Sequence, residues 1–313
     1  MDAADGSAES AGPLVDQPIR AAELIGALSL ATDLGTGQPL EHALRTAVLA
    51  VRLGELAGAS PKELADTYYV ALLHAAGCTS NGHEATLLFG EDIEHRAAFF
   101  LVDPADPAQV LAFYRTHVGP GRPPEVRERM VEAALSDPAR ARESFAAMCE
   151  VAQRFAGWLE LGAGIEAALE FVFARWDRKG LPREVGGDEL PLPSRLLHVA
   201  RDFSLFLAAA GHDDARAVLE RRAGAAYDPH LAALGARHFG DVCAELDETR
   251  MWEHALQASR SRRSVSTVRE STPGSPPSPR SPASSRRGFA STPLPWPTSR
   301  RPPPGAWVCR RRP

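Results

Sequence analysis

The chain has 313 residues, 44% of them hydrophobic, enough for one large or two modest domains with a buried core. Its formal charge of −5 is unevenly spread: residues 257–313 hold 12 Arg, no Lys and one acid, Glu270, for +11, and the first 256 residues carry −16. An acidic body excludes nucleic-acid binding through its own surface, the lack of an apolar run of about 18 residues excludes a membrane span, and four scattered cysteines without a C-x-x-C pair exclude a zinc knuckle or a disulfide framework. The segment from Met1 to Asp16 is acidic and rich in small residues. It has neither the basic nor the apolar region of a signal peptide, so it is expected to be a disordered lead-in to a cytoplasmic protein.

Apolar residues then recur at helical spacing almost throughout. A first amphipathic helix is predicted over 20–33, with Leu24, Ile25, Leu28 and Leu30 on one stripe. A second covers 40–57, with Leu44, Val48, Val51, Leu53 and Leu56 inward. Ser60-Pro61 suits an N-cap followed by a first helical turn, and starts a third helix that runs to about Ala76. Further helices are predicted at 84–100, 106–118, 124–135, 138–158, 163–175, 192–209, 213–223 and 229–240. No strand pair is visible. The expected class is all-α, one bundle over 17–256 with disordered termini. The stretch from Gly180 to Pro193, rich in Gly, Pro and charge, is the one long internal loop.

Three segments carry a resemblance. Glu41-His42-Ala43-Leu44-Arg45 is followed, 32 residues after its histidine, by the His74 of Leu72-Leu73-His74-Ala75-Ala76-Gly77-Cys78. Next comes Arg175-Trp176-Asp177-Arg178-Lys179-Gly180-Leu181-Pro182. The third is Leu192-Pro193-Ser194-Arg195-Leu196-Leu197-His198-Val199-Ala200, with Ala223-Gly224-Ala225-Ala226-Tyr227-Asp228-Pro229 beyond it. In order and spacing over about 190 residues, this set resembles the HD-GYP branch of the HD phosphohydrolase superfamily, as in the N-terminal half of actinobacterial tandem HD-domain regulators of the LuxR type.

The resemblance implies an HD-domain-like helical bundle. In that superfamily His and Asp ligands hold two or three metal ions, which activate a water for attack on a phosphate ester. Here His42 and His74 match two ligand positions. The Asp that bridges the metals is replaced by Ala75, and the Lys after the Gly by Cys78. The paired histidines become Val172 and Phe173, and the following Glu becomes Ala174. Asp177 is kept, the signature Tyr becomes Leu181, and the Asp of the third segment falls at Arg201. A set so depleted in carboxylates implies weak binding of hard divalent ions. The expected function is therefore a non-catalytic regulatory or interaction domain with no cofactor. The alternative is a metal-dependent phosphohydrolase, with a cyclic dinucleotide as a candidate substrate, Mn, Fe or Zn held by His42, His74, His83 and Glu84, and Asp177 in a catalytic role. Expected partners are a second HD-GYP-like domain or a second copy of the chain. Arg195 and Asp177 are expected to pair with each other.

From Gln257 onward Arg, Pro and Ser each occur 12 times in 57 residues and hydrophobic periodicity ends. Such a segment is expected to be disordered. Read one base earlier with suitable codons, Ser284-Ser285-Arg286-Arg287 gives Leu-Lys-Ser-Pro and Trp296-Pro297-Thr298-Ser299 gives Val-Ala-Asp-Leu. This pattern resembles the first helix of another HD-GYP domain, so the tail is expected to be a frameshifted reading of a second copy. A third reading takes the basic tail as genuine and as a nucleic-acid contact. Otherwise nucleic acid is expected only through a region absent from this chain.

Overall fold

The computed structural model describes residues 20–90, 93–246 and 248–260. Thirteen α-helices account for most of them: α1 (Ala21–Gly35), α2 (His42–Leu56), α3 (Pro61–Leu73), α4 (Gly82–Phe89), α5 (Ile93–Phe99), α6 (Pro107–His117), α7 (Pro124–Ser136), α8 (Pro138–Trp158), α9 (Ala163–Leu169), α10 (Leu192–Ala210), α11 (His212–Arg222), α12 (Pro229–Glu245) and α13 (Met251–Arg260). No β-strand occurs among the described residues, only an isolated bridge between Ala223 and Tyr227. The all-α expectation holds. The chain divides into two units, 1–269 and 270–313. The second unit, the expected disorder of residues 1–16 and the frameshift and nucleic-acid readings of the tail lie outside the described residues.

Several helices start by one device. Ser60 accepts from the Glu63 amide while the Glu63 carboxylate takes the Ser60 amide, a reciprocal cap ahead of Pro61. Asp106, Asp137 and Asp228 cap α6, α8 and α12 by accepting from first-turn amides, without a returning bond, each directly before a proline. Each such cap contributes about 1 kcal/mol.

The main core sits where α2, α3 and α10 meet, closed by α1, α9, α11, α12 and α13. Leu49, Leu53, Tyr68, Leu73, Leu196 and Phe203 are fully buried there, and each fully buried side chain of this kind contributes about 1.5–3 kcal/mol. Three expectations change. Leu24 and Leu56 face solvent, each 46% exposed; successive helical residues point about 100° apart, and Ile25 takes the inward position next to Leu24. The run 84–100 is two helices, because Gly90 turns the chain at φ 79°. The predicted end at 256 falls inside α13, whose Met251 and Ala255 pack in the core.

A second, smaller core lies beside the first. Ala75, Cys78 and Met148 are buried there against Phe100, Phe145 and Phe173. Gly77 makes this junction possible: a Cβ at that position would lie 1.9 Å from the Met148 carbonyl oxygen of α8.

Candidate functional site

His42 is the first residue of α2 and His74 follows the last residue of α3. The close pairing of these helices brings the two rings edge to face, with centroids 5.9 Å apart. Asp33, at the end of α1, helps fix the start of α2: its Oδ2 accepts from the Ala43 amide at 3.2 Å. Burial pushes the Asp33 carboxyl up to about 7, against the pull of the Ala43 and His42 amides. Nδ1 of His42 lies 3.0 Å from the Ser204 hydroxyl of α10. Nδ1 of His74 lies 2.6 Å from the Ala71 carbonyl oxygen. A carbonyl only accepts, so His74 carries its proton on Nδ1 and keeps the lone pair on Nε2.

Both imidazoles are neutral at physiological pH. Burial holds His42 well below the usual histidine range, helped by His74 and the Arg201 guanidinium. Burial brings His74 down to about 4, with Arg201 adding to the effect against the Ala71 hydrogen bond. His198, one turn before Arg201 on α10, is likewise brought to about 4 by burial and Arg201, and its Nε2 donates to the Phe171 carbonyl at 2.8 Å.

Arg201, at the motif position where the superfamily has Asp, is held by two anchors. Nε donates to Asp202 at 2.8 Å and Nη1 to the Val172 carbonyl at 3.1 Å. Among the described residues its Nη2 has no hydrogen-bond partner. Asp202 is the hub behind it. Its other oxygen accepts from the Tyr227 hydroxyl at 2.6 Å and from Arg222 at 3.4 Å. Burial pushes the Asp202 carboxyl upward, but Arg201, Arg222 and Tyr227 together outweigh it and hold the group ionised. The network continues through Asp103, which meets Arg222 at 3.7 Å and Arg175 at 2.8 Å. Three guanidiniums and three carboxylates thus tie the loop at 103, the turn at 175–177, α10 and the end of α11 into one charge-balanced unit.

This network accounts for Asp177. Arg175 holds it bidentately, at 3.1 and 3.2 Å, and the Lys179 amide adds a third bond at 3.0 Å. The expected partnership with Arg195 is corrected: Arg195 pairs with Asp188 and Asp228, at 3.0 and 2.9 Å. Three hydrogen bonds thus hold Asp177 within this network. The helix expected at 163–175 stops at Leu169, after which Val172 and Phe173 lie in a turn. Val172 is buried, and Phe173 packs its ring 4.8 Å from that of Phe145. Gly180 closes this turn, since a Cβ there would lie 2.5 Å from the Phe173 carbonyl oxygen.

His83 and Glu84 stand on α4, and Glu84 lies on the wall of an aromatic cavity instead of beside the two imidazoles. Among the described residues no three His, Cys, Asp or Glu side chains converge where a cation could sit. The four-ligand site of His42, His74, His83 and Glu84 is therefore not formed. Neutral imidazoles are suitable donors for a divalent ion, but two of them beside a guanidinium, with the nearest carboxylate committed to Arg201, Arg222 and Tyr227, do not fit the multi-ligand centre that the superfamily uses. What the arrangement offers is an open guanidinium nitrogen next to two uncharged imidazoles, a combination suited to an anionic oxygen ester. Asp202, Arg222 and Tyr227 were not singled out in the sequence reading. Their one readable signal is Tyr227-Asp228-Pro229 in the third motif.

No family model matches the chain. Among curated proteins it is 25% identical over 216 residues to 3′3′-cGAMP-specific phosphodiesterase 3 of Vibrio cholerae, a match over 68% of this chain and 46% of that protein. The chain thus spans about half the length of its curated relative. Among solved structures it resembles a cyclic GMP-AMP-specific phosphodiesterase of Vibrio cholerae, with a TM-score of 0.50 and 20% identity over 76% of this chain and 58% of the other. Two expectations are corrected by these matches. The chain aligns with a phosphodiesterase, which favours the enzymatic alternative over a non-catalytic domain. The expectation of no cofactor is corrected with it, since the match to a phosphodiesterase favours the alternative with a divalent metal. The motifs, the helical architecture and both matches support the HD-domain superfamily for this chain.

Proposed function

We propose that this chain acts on a phosphodiester of the cyclic-dinucleotide class, at the site formed by His42, His74 and Arg201. The observation that carries the reading is the match, over 68% of the chain, to a 3′3′-cGAMP-specific phosphodiesterase. The geometry supports it in one further respect. The open Nη2 of Arg201 supplies a positive charge for a phosphodiester oxygen, and Asp202 fixes its direction. The described donors fall short of a metal centre, and divalent metal enters as a variable of the assay.

A second HD-GYP-like domain or a second copy of the chain is the proposed partner. The relative's length, of which this chain spans 46%, leaves room for such a neighbour in proteins of this kind.

The test is chromatographic detection of linear dinucleotide from 3′3′-cGAMP, with the full chain and Mn, Fe or Zn added in turn. Turnover that disappears in a His42→Ala, His74→Ala double variant is the expected result. No turnover with any of the three ions, by protein that is folded and binds the dinucleotide, would overturn the reading.

A further inference from the structure

The five helices α4 to α8 enclose a cavity of about 720 Å³, within the range of small-molecule sites. Every one of these helices contributes to its wall, so it is a bowl and not a groove along one face. The wall is dominated by rings. Phe89 stacks on His95 at 3.9 Å, and Phe113, Phe99 and Phe145 continue the aromatic surface around to Phe173.

The polar groups in this wall are largely engaged with one another. Arg96 donates to the Cys78 carbonyl, and also to the Asn81 side-chain oxygen at 2.8 Å. Asn81 in turn donates to the Ser144 hydroxyl at 2.8 Å. Asp137 has an oxygen committed to the start of α8. The remaining charges, Glu84 and Arg140, are opposite in sign and lie on exposed parts of their helices. The site therefore selects shape and ring stacking over charge.

We propose that this cavity is a binding site for a neutral, flat, ring-bearing small molecule, separate from the phosphodiester site. It does not rest on the reading of His42, His74 and Arg201. Of the positions that the HD-type motifs use, Cys78 and Phe173 are in the wall; its other residues lie outside those motifs.

The probe is N-phenyl-1-naphthylamine, an uncharged fluorophore of this class, titrated into the full chain. Saturable emission at one probe per chain is the expected result. Ala134→Trp and Ala141→Trp, each at a half-buried position on the wall, fill the cavity from different helices and should each weaken binding at least tenfold with the helical circular dichroism unchanged. The His42→Ala, His74→Ala variant should bind the probe as the parent does. Absence of saturable binding to the parent would overturn the proposal, as would undiminished binding in the folded Trp variants. Displacement of the probe by 3′3′-cGAMP would also overturn it, by making the cavity part of the phosphodiester site.

Discussion

Two regions of this molecule handle buried polarity in opposite ways. Around α10, three arginines and three aspartates, buried or half-buried, are matched partner for partner, so that Arg201 stands fixed beside two neutral imidazoles. Among α4 to α8, aromatic rings surround a cavity in which Arg96 is bonded to Cys78 and Asn81 and the other charged side chains, Glu84, Asp137 and Arg140, stand at exposed positions. The first region is fixed by its hydrogen bonds and ion pairs. The second has few directional bonds and is tuned to shape.

The sharpest way to break this contrast is at the seam. Gly77→Ala puts a methyl group into the Met148 carbonyl, a backbone atom that cannot move alone. A loss of about 4 kcal/mol or more is expected, seen as a collapse of the denaturation midpoint affecting both regions. Asp202→Ala comes next. It leaves Arg201 and Arg222 buried without their shared acid, which costs about 3–5 kcal/mol; chemical denaturation checks it, and the α4–α8 probe site should persist in the folded fraction.

Asp33→Asn sharpens the comparison through pH. Asp202 is held ionised by its partners, whereas Asp33 is raised to about 7 mainly by burial. An acid with a raised folded pKa contributes most below its unfolded value, near 4, and that contribution is lost as pH rises through about 7. The parent should therefore lose stability relative to Asp33→Asn between pH 4 and 8, in thermal melts across that window. Parallel profiles for the two proteins would contradict the assignment. Ser60→Ala has the smallest effect, about 1 kcal/mol from the lost cap of α3, with no change in dinucleotide turnover.

The helical class was legible because the apolar spacing is nearly continuous, and the starts at Ser60-Pro61 and Pro138 follow from local chemistry. His42 and His74 were legible only through motif resemblance. Arg201 was legible as a reversed charge, but its meaning was not. Asp202 sits one residue beyond the motif position, and its partners Arg222 and Tyr227 lie 20 and 25 residues downstream. Asp103 is 72 residues before Arg175. No spacing rule links such groups. The cavity was hidden for the same reason: Phe89, Phe113, Phe145 and Phe173 are far apart in the chain and share no period. Reading 84–100 as a single helix also concealed the break at Gly90 that lets α4 and α5 line two sides of it. The depleted ligand set does not by itself mark loss of activity, because the chain matches a phosphodiesterase over 68% of its length.

The central claim is that Arg201 presents a fixed positive charge to a phosphodiester. Calorimetric titration of 3′3′-cGAMP into the parent and into Arg201→Gln tests it most directly, because Gln keeps a donor near Val172 and Asp202 while removing the charge. The account predicts binding to the parent and affinity at least tenfold weaker in Arg201→Gln, with helical content unchanged. Equal affinity in the two proteins would contradict it.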